Sequence, residues 1–140
     1  LGVHAALFPN EAFREGDGVL AFLTEMRIGF VVLAGFLLLV PECILEAYEG
    51  RIVNIHPALL PQYGGRGMYG ARVHEAVISA GERYSGITIH HVNRHYDEGA
   101  IIFQARCEVS ADDTAESLAR KVHALEYAHY PRVVEQLLLS

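Results

Sequence analysis

The sequence predicts one α/β domain over residues 1–140, with an open, mostly parallel sheet and helices on both faces. Segments typical of strands and helices alternate along the first half of the chain, and right-handed crossovers convert that order into a parallel sheet. Residues 30–34 form a continuous run of strand-favouring residues, as expected for a strand buried on both faces. The 140 residues, 51% hydrophobic and 20% charged, suffice for one compact domain with its own core.

The first half of the chain supplies the alternating elements. Short apolar runs predict strands, and apolar residues at helical spacing predict helices between them. In chain order the expected elements are a strand at 3–8, a helix at 19–28, a strand at 30–34, a helix at 41–48 and a strand at 51–55.

A loop rich in proline and glycine, residues 60–70, separates these elements from the second half. A helix at 73–80 and strands at 85–92 and 100–109 are expected next. Asp113 and Glu116 have the spacing of a capping box, which predicts the start of a final helix. Pro131 is expected to bend or interrupt that helix.

The charge balance argues against a nucleic-acid-binding surface. The chain has 11 Lys and Arg against 17 Asp and Glu, for a formal net charge of −6, so small-molecule substrates fit better. The longest apolar run, residues 30–41, is shorter than the ~20 residues that a membrane-spanning helix needs. With no visible signal peptide and only two cysteines, we expect reduced thiols and a cytoplasmic location.

Polar residues stand where the strand at 51–55 runs into a loop, in the string Asn54-Ile55-His56-Pro57. Ligands of open α/β sheets bind at this carboxyl edge. If the pleat continues, Asn54 and His56 point the same way, so an amide and an imidazole can converge on a developing oxyanion. The same pattern fits two side chains that only tie down the turn before Pro57.

Asp97 follows the next strand and precedes Glu98-Gly99. A carboxylate beside an imidazole orients the ring and favours its protonated form. An acid in this position is also common in an ordinary turn, so the sequence alone leaves both interpretations open.

Several strings together resemble the folate-dependent formyltransferases, most closely the phosphoribosylglycinamide formyltransferase family. They are VLAGF at 32–36, GRIVNIHPALLP at 50–61, GITIH at 86–90, Asp97 with Gly99, and EYAHYP at 126–131. The likeness runs along essentially the whole chain, and it implies the Rossmann-like formyltransferase fold.

The resemblance implies transfer of a formyl group from 10-formyltetrahydrofolate to the amine of glycinamide ribonucleotide in purine synthesis, without a metal. Asn54 and protonated His56 would stabilise the tetrahedral oxyanion. Asp97 would hold His56 protonated and assist proton transfer from the amine to the leaving folate nitrogen. A monomer or a homodimer, with no nucleic-acid or membrane partner, is expected.

The resemblance also implies binding roles for residues that the local pattern would assign to the core or to an exposed helix face. Thr88 would support the catalytic residues, and Pro57 and Glu126 would contact the nucleotide substrate. The remaining positions would hold the reduced folate: Leu37, Leu38, Leu39, Val40, Asn54 and Asn93.

The chain also departs from the family pattern. In the family a glycine-rich turn ending in Ser-Asn holds the substrate phosphate at a helix N-terminus. No such turn occurs here, which implies that the first strand and helix of the fold are lacking. Gly29 and Gln62 replace a usual Asp and Lys, and the loop 63–72 is longer than in many relatives. A catalytically incomplete fragment, another folate-dependent formyltransferase and a formyltetrahydrofolate hydrolase are the alternatives.

Histidines at 74, 90, 91 and 95 raise the alternative of a metal-binding module. Adjacent His90 and His91 would face opposite sides of a strand, and the chain has no His-Glu-x-x-His motif. The sequence therefore favours the formyltransferase interpretation over a metal centre.

Overall fold

The computed structural model describes residues 3–36, 38–93 and 99–140. Within them, five helices and four strands follow one another, and the predicted α/β class is confirmed. In chain order they are α1 (Asn10–Glu15), α2 (Asp17–Glu25), β1 (Val31–Leu33), α3 (Glu42–Ala47), β2 (Ile52–His56), α4 (Ala71–Ser79), β3 (Tyr84–His91), β4 (Ile101–Glu108) and α5 (Ala115–Leu139).

The strand predicted at 3–8 is wrong. Residues 3–9 have no regular secondary structure, and the side chain of Leu7 is fully exposed. Strand propensity reflects packing on a pleated, half-buried surface, and nothing among the described residues provides that surface here.

The sheet has the order β1-β2-β3-β4 and is mixed, where a mostly parallel sheet was expected. β1 and β2 are parallel, whereas β3 runs antiparallel to both β2 and β4. The pairing of His56 with Thr88 shows that residues 57–83 leave and re-enter the sheet at the same end. Residues 92–100 are too few for the crossover that a parallel pair needs, and β4 accordingly runs back along β3.

Helices cover both faces of the sheet, as predicted. Alternating side chains of β2 enter two separate cores, Ile52 on one face and Ile55 on the other. Ile52 packs with residues of α2 and α3, and Ile55 packs with residues of α4, α5 and β3. The long helix α5 carries three residues of the second core: Leu118, Val122 and Val133.

The start of α5 differs from the prediction by one residue. Thr114 and Ser117 form the reciprocal capping box, instead of Asp113 and Glu116. Asp113 accepts hydrogen bonds from the Ser117 hydroxyl and the Lys121 ammonium. The helix continues through Pro131, since Val133 beyond it is buried in the core and holds the last turns on the sheet.

Candidate active site

A cavity of about 790 Å³ opens beside the carboxyl ends of β1 and β2. Its volume lies within the range of small-molecule sites in proteins. One wall is the segment after β1, a second is the loop and helix start at 65–75, and a third is the first half of α5. The floor contains Asn54 and His56 of β2 together with His90 of β3.

Asn54 and His56 project from the same face of β2, as the pleat predicts. Asn54 pairs with His90 across the strands, and its Nδ2 donates to His90 Nε2 at 3.4 Å. His90 Nδ1 lies 2.9 Å from the His91 carbonyl oxygen, which only accepts, so the proton is on Nδ1 and Nε2 is the acceptor. His90 thereby fixes the orientation of the Asn54 amide.

Asn54 Oδ1 is buried and makes no hydrogen bond within the described part of the chain. Leaving such an atom unpaired costs free energy, and sites that bind a polar ligand contain such atoms. One N–H of the Asn54 amide also remains for a ligand, because His90 occupies the other.

His56 is 3% exposed, and its Nε2 lies 2.7 Å from the carbonyl oxygen of Tyr63. A carbonyl cannot donate, so Nε2 carries a proton in this arrangement. This bond holds the His56 ring against the segment that follows β2.

Two side chains fasten the segment that leaves β2, residues 57–63. The buried Thr88 hydroxyl donates to the Ala58 carbonyl at 2.7 Å and accepts from the Leu60 amide at 3.0 Å. Gln104 of β4 donates from Nε2 to the Leu60 carbonyl and to the Thr88 hydroxyl, both at 2.9 Å. Thr88 therefore holds the segment that follows His56, and its supporting role in catalysis stays a prediction.

The wall formed by α4 and α5 is built from imidazoles and a carboxylate. His123 Nδ1 lies 3.2 Å from Glu126 Oε2, and both side chains line the cavity with the buried His74. Burial lowers the pKa of His74, and the neighbouring His123 and His56 imidazoles lower it further, so the neutral form of His74 is favoured.

Comparison with known proteins identifies the family. A model described as formyl transferase matches residues 4–134. The chain belongs to the formyl transferase family. It is similar to the chloroplastic phosphoribosylglycinamide formyltransferase of Arabidopsis thaliana, with 44% identity over 138 residues, which cover 95% of this chain and 47% of that protein.

Solved structures agree with this assignment. The phosphoribosylglycinamide formyltransferase of Bacillus halodurans matches with a TM-score of 0.81 and 41% identity, over 94% of this chain and 64% of that one. A formyltetrahydrofolate deformylase of Pseudomonas syringae matches with a TM-score of 0.76 and 27% identity, over 89% and 39%. The Rossmann-like formyltransferase fold is thus confirmed, and the chain spans between 39% and 64% of the length of these relatives.

The structure shows where most of the residues lie that the resemblance assigned to ligand binding. The cavity lining includes Leu38, Leu39, Val40, Pro57, Asn93 and Glu126. Leu37 and Asp97 lie outside the described residues, as does His95 of the metal-binding alternative. The contacts expected of these residues stay predictions.

Four residues with clear positions in or beside the site were not assigned to it from the sequence: His90, Gln104, His123 and Tyr130. The Tyr130 hydroxyl donates to the Leu33 carbonyl at 2.6 Å and joins α5 to the last residue of β1. Burial raises the pKa of Tyr130, and the Glu126 carboxylate adds to the effect, so the hydroxyl keeps its proton for this bond.

Neither a metal cluster nor a membrane helix is found in the described ranges 3–36, 38–93 and 99–140. No group of three or more His, Cys, Asp or Glu there could hold a metal ion. No helix there is long and apolar enough to cross a bilayer.

Proposed function

We propose that this chain carries the catalytic centre of a phosphoribosylglycinamide formyltransferase of de novo purine synthesis. The observation that carries the proposal is the Asn54 amide beside the His56 imidazole in the floor of a cavity large enough for a reduced folate. The identity of 44% to a plant protein of that name supports the substrate pair.

The reaction exchanges one C–N bond for another. The amine nitrogen of glycinamide ribonucleotide bonds to the formyl carbon of 10-formyltetrahydrofolate, and the bond from that carbon to the folate N10 breaks. A proton passes from the amine to N10, so atoms and charge balance without an oxidant or reductant. In the tetrahedral intermediate a negative charge develops on the formyl oxygen, and the protein must stabilise this charge.

Asn54 is suited to that task because its amide is already oriented. The bond to His90 holds one N–H, and the second N–H is directed by the same rigid amide plane. A donor fixed before the reaction stabilises a developing oxyanion without reorganisation.

His56 supplies the second donor and the proton relay. Its Nε2–H is bound to the Tyr63 carbonyl, which holds the ring in the floor of the cavity. The protonated ring is proposed to donate to the oxyanion and to exchange protons, as the family pattern implies. Asp97 is proposed to favour the protonated ring and to pass the amine proton onward, as the family pattern implies.

The cavity walls fit the two substrates. The apolar wall at Leu38, Leu39 and Val40 suits the pteridine of 10-formyltetrahydrofolate, with Asn93 at its edge. The opposite wall, with the His123–Glu126 pair, suits the polar glycinamide end of the nucleotide. A monomer or homodimer remains our expectation, and so does the cytoplasm, although the Arabidopsis relative is named chloroplastic.

The test is a formyl-transfer assay with 10-formyltetrahydrofolate and glycinamide ribonucleotide that measures tetrahydrofolate, formylated nucleotide and formate. His56→Ala and Asp97→Asn should each lower kcat by about a hundredfold to a thousandfold, with folate binding largely retained. His4→Ala, at an exposed residue far from the cavity in sequence, is the matched control.

The products discriminate between the two reactions of the family. Formate without formylated nucleotide would replace the proposal with the hydrolase function for which the Pseudomonas relative is named. Wild-type rates in His56→Ala or Asp97→Asn would overturn the assigned roles.

A further inference from the structure

The cavity wall formed by residues 65–72 carries the permanent positive charge of the site. Among the described residues that line the cavity, Arg66 and Arg72 are the only Lys or Arg side chains. The described residues of the wall after β1 are uncharged. The acids of the lining lie on α4 and α5: Glu75, Glu116 and Glu126. An anionic group of a ligand therefore finds permanently charged cations at the wall 65–72 alone.

The Arg72 guanidinium reaches back along this wall toward Arg66. Its Cζ lies 5.0 Å from the centre of the Tyr69 ring, and its Nη1 is 3.8 Å from the point where a Cβ on Gly67 would stand. Gly67 follows Arg66 directly, so the two arginines share one stretch of the wall. Neither has an ion pair in the part of the chain that the structure describes, although Glu75 is only three residues beyond Arg72. Two neighbouring cations without an acid partner attract an anion.

The start of α4 adds to the same wall. The helix has nine residues, its N-cap Gly70 provides no side-chain cap, and Gly70 and Ala71 both line the cavity. The partial positive charge at a helix N-terminus favours an anionic ligand. About one turn further along α4, His74 lines the cavity at 3% exposure, and its Nδ1 has no hydrogen-bond partner within the described ranges. A buried polar atom without a partner indicates a wall that contacts a ligand.

We propose that Arg66 and Arg72, together with the start of α4, bind an anionic group of a co-substrate, either a carboxylate or a phosphate. The inference rests on the proposed function and deepens it, because both co-substrates of formyl transfer carry such a group. These are the glutamate carboxylates of 10-formyltetrahydrofolate and the phosphate of glycinamide ribonucleotide. The planar guanidinium fork matches the oxygens of either group. Because both groups are remote from the atoms that react, the contact contributes to binding and not to the chemical step.

Charge-removing substitutions test the site by direct binding. Arg66→Gln, Arg72→Gln and the double variant remove guanidinium groups from exposed positions, so the fold should be kept. Arg120→Gln makes the same change at an exposed position of α5 outside the cavity lining. Calorimetry measures the Kd of tetrahydrofolate and of glycinamide ribonucleotide without turnover. We expect the Kd of the ligand bound at this wall to rise about tenfold for each arginine removed, as for the loss of one charge-assisted hydrogen bond. Arg120→Gln should match the wild type.

The ligand that responds identifies the anionic group. A rise in Kd for tetrahydrofolate assigns the glutamate carboxylates to the wall, and a rise for glycinamide ribonucleotide assigns the phosphate. Glycinamide riboside lacks the phosphate, so the wild type and the double variant should bind it equally in either case. A weaker affinity of the double variant for the riboside, or unchanged Kd values for both co-substrates, overturns the inference.

The salt dependence of binding tests the inference without any variant. The charges of an exposed ion pair are screened, so the Kd of the responding ligand should rise with the NaCl concentration. Wild-type Kd values for both ligands that do not change with salt overturn the inference even if no variant folds.

Turnover separates the inference from the proposed function. In the formyl-transfer assay the double variant should raise the KM of the responding ligand and leave kcat unchanged. Binding of both ligands without formyl transfer in the wild type counts against the proposed function alone. Formyl transfer with the same KM values in the wild type and the double variant counts against the inference alone, and a wild type that binds neither ligand overturns both.

Discussion

Replacing Thr88 by valine tests how much the fastened segment contributes to stability. Valine has the same shape, so packing around the fully buried position is kept and the hydroxyl alone is lost. The Ala58 carbonyl and the Leu60 amide then lose their partner, while the Leu60 carbonyl keeps Gln104. Both residues are buried, with Ala58 0% and Leu60 5% exposed, so water does not replace the lost bonds.

Each buried backbone group left without a partner costs about 1–3 kcal/mol, so the two together cost about 2–6 kcal/mol. That is a large share of the roughly 5–15 kcal/mol by which a domain is stable. For a domain of this size each kcal/mol lowers Tm by about 3–5 °C, so Thr88→Val should melt roughly 6–30 °C below the wild type. Calorimetry and urea titration measure the change.

Thr24→Val provides the matched control for the same chemical change. The Thr24 hydroxyl also donates to a carbonyl, that of Leu20, but it does so on the exposed face of α2. Exposed substitutions of this kind change stability by about 0.5 kcal/mol or less. If Thr88→Val costs no more than Thr24→Val, the hydrogen bonds at Thr88 do not stabilise the segment and the reasoning fails.

Two further predictions concern pH and backbone packing. The hydrogen bond from Lys121 lowers the pKa of Asp113 to about 2, so the stability gained from the folded carboxylate is present above about pH 4 and is lost as the pH falls toward 2. Asp113→Asn should lower the free energy of unfolding at pH 7 and flatten its decline over that range, measured by urea titration at each pH. Gly86→Ala should prevent folding, because the added Cβ would overlap the Ala105 carbonyl of β4, whereas Gly18→Ala in α2 meets nothing and should stabilise by about 0.5–1 kcal/mol.

A specific result would contradict each of these two predictions. An Asp113→Asn profile parallel to that of the wild type between pH 4 and pH 2 would mean that the carboxylate is not held by its partners. A folded Gly86→Ala protein with wild-type Tm would show that β3 and β4 are not as close at that point as the register requires.

The sequence predicted the parts of the site that lie within one strand. Asn54 and His56 share a face because side chains alternate along any strand, and no knowledge of neighbours is needed for that step. The helices on both faces followed in the same way from local patterns. The predicted start of α5 was one residue too early. Two overlapping capping boxes are possible, one with Asp113 and Glu116 and the other with Thr114 and Ser117, and the local pattern does not distinguish them.

The hydrogen-bond partners of Asn54 and His56 depend on how the strands pair. The sequence predicted a mostly parallel sheet, and in the structure β3 runs antiparallel to β2 with His90 opposite Asn54 and Thr88 opposite His56. The following antiparallel pair places Gln104 opposite Thr88. Strand direction and register are set by long-range contacts, so no local signal marked His90 or Gln104 as part of the site.

By itself, then, the sequence determined the α/β class, the order of the elements from α2 onward and the shared face of Asn54 and His56 on β2, because these follow from propensity and side-chain periodicity. The helix α1 was not predicted. The tertiary structure decided the direction of β3 and β4, the amide orientation of Asn54 and the presence of a proton on Nε2 of His56. The last two depend on hydrogen bonds to residues brought close by folding: His90 for the Asn54 amide, and the Tyr63 carbonyl for His56 Nε2.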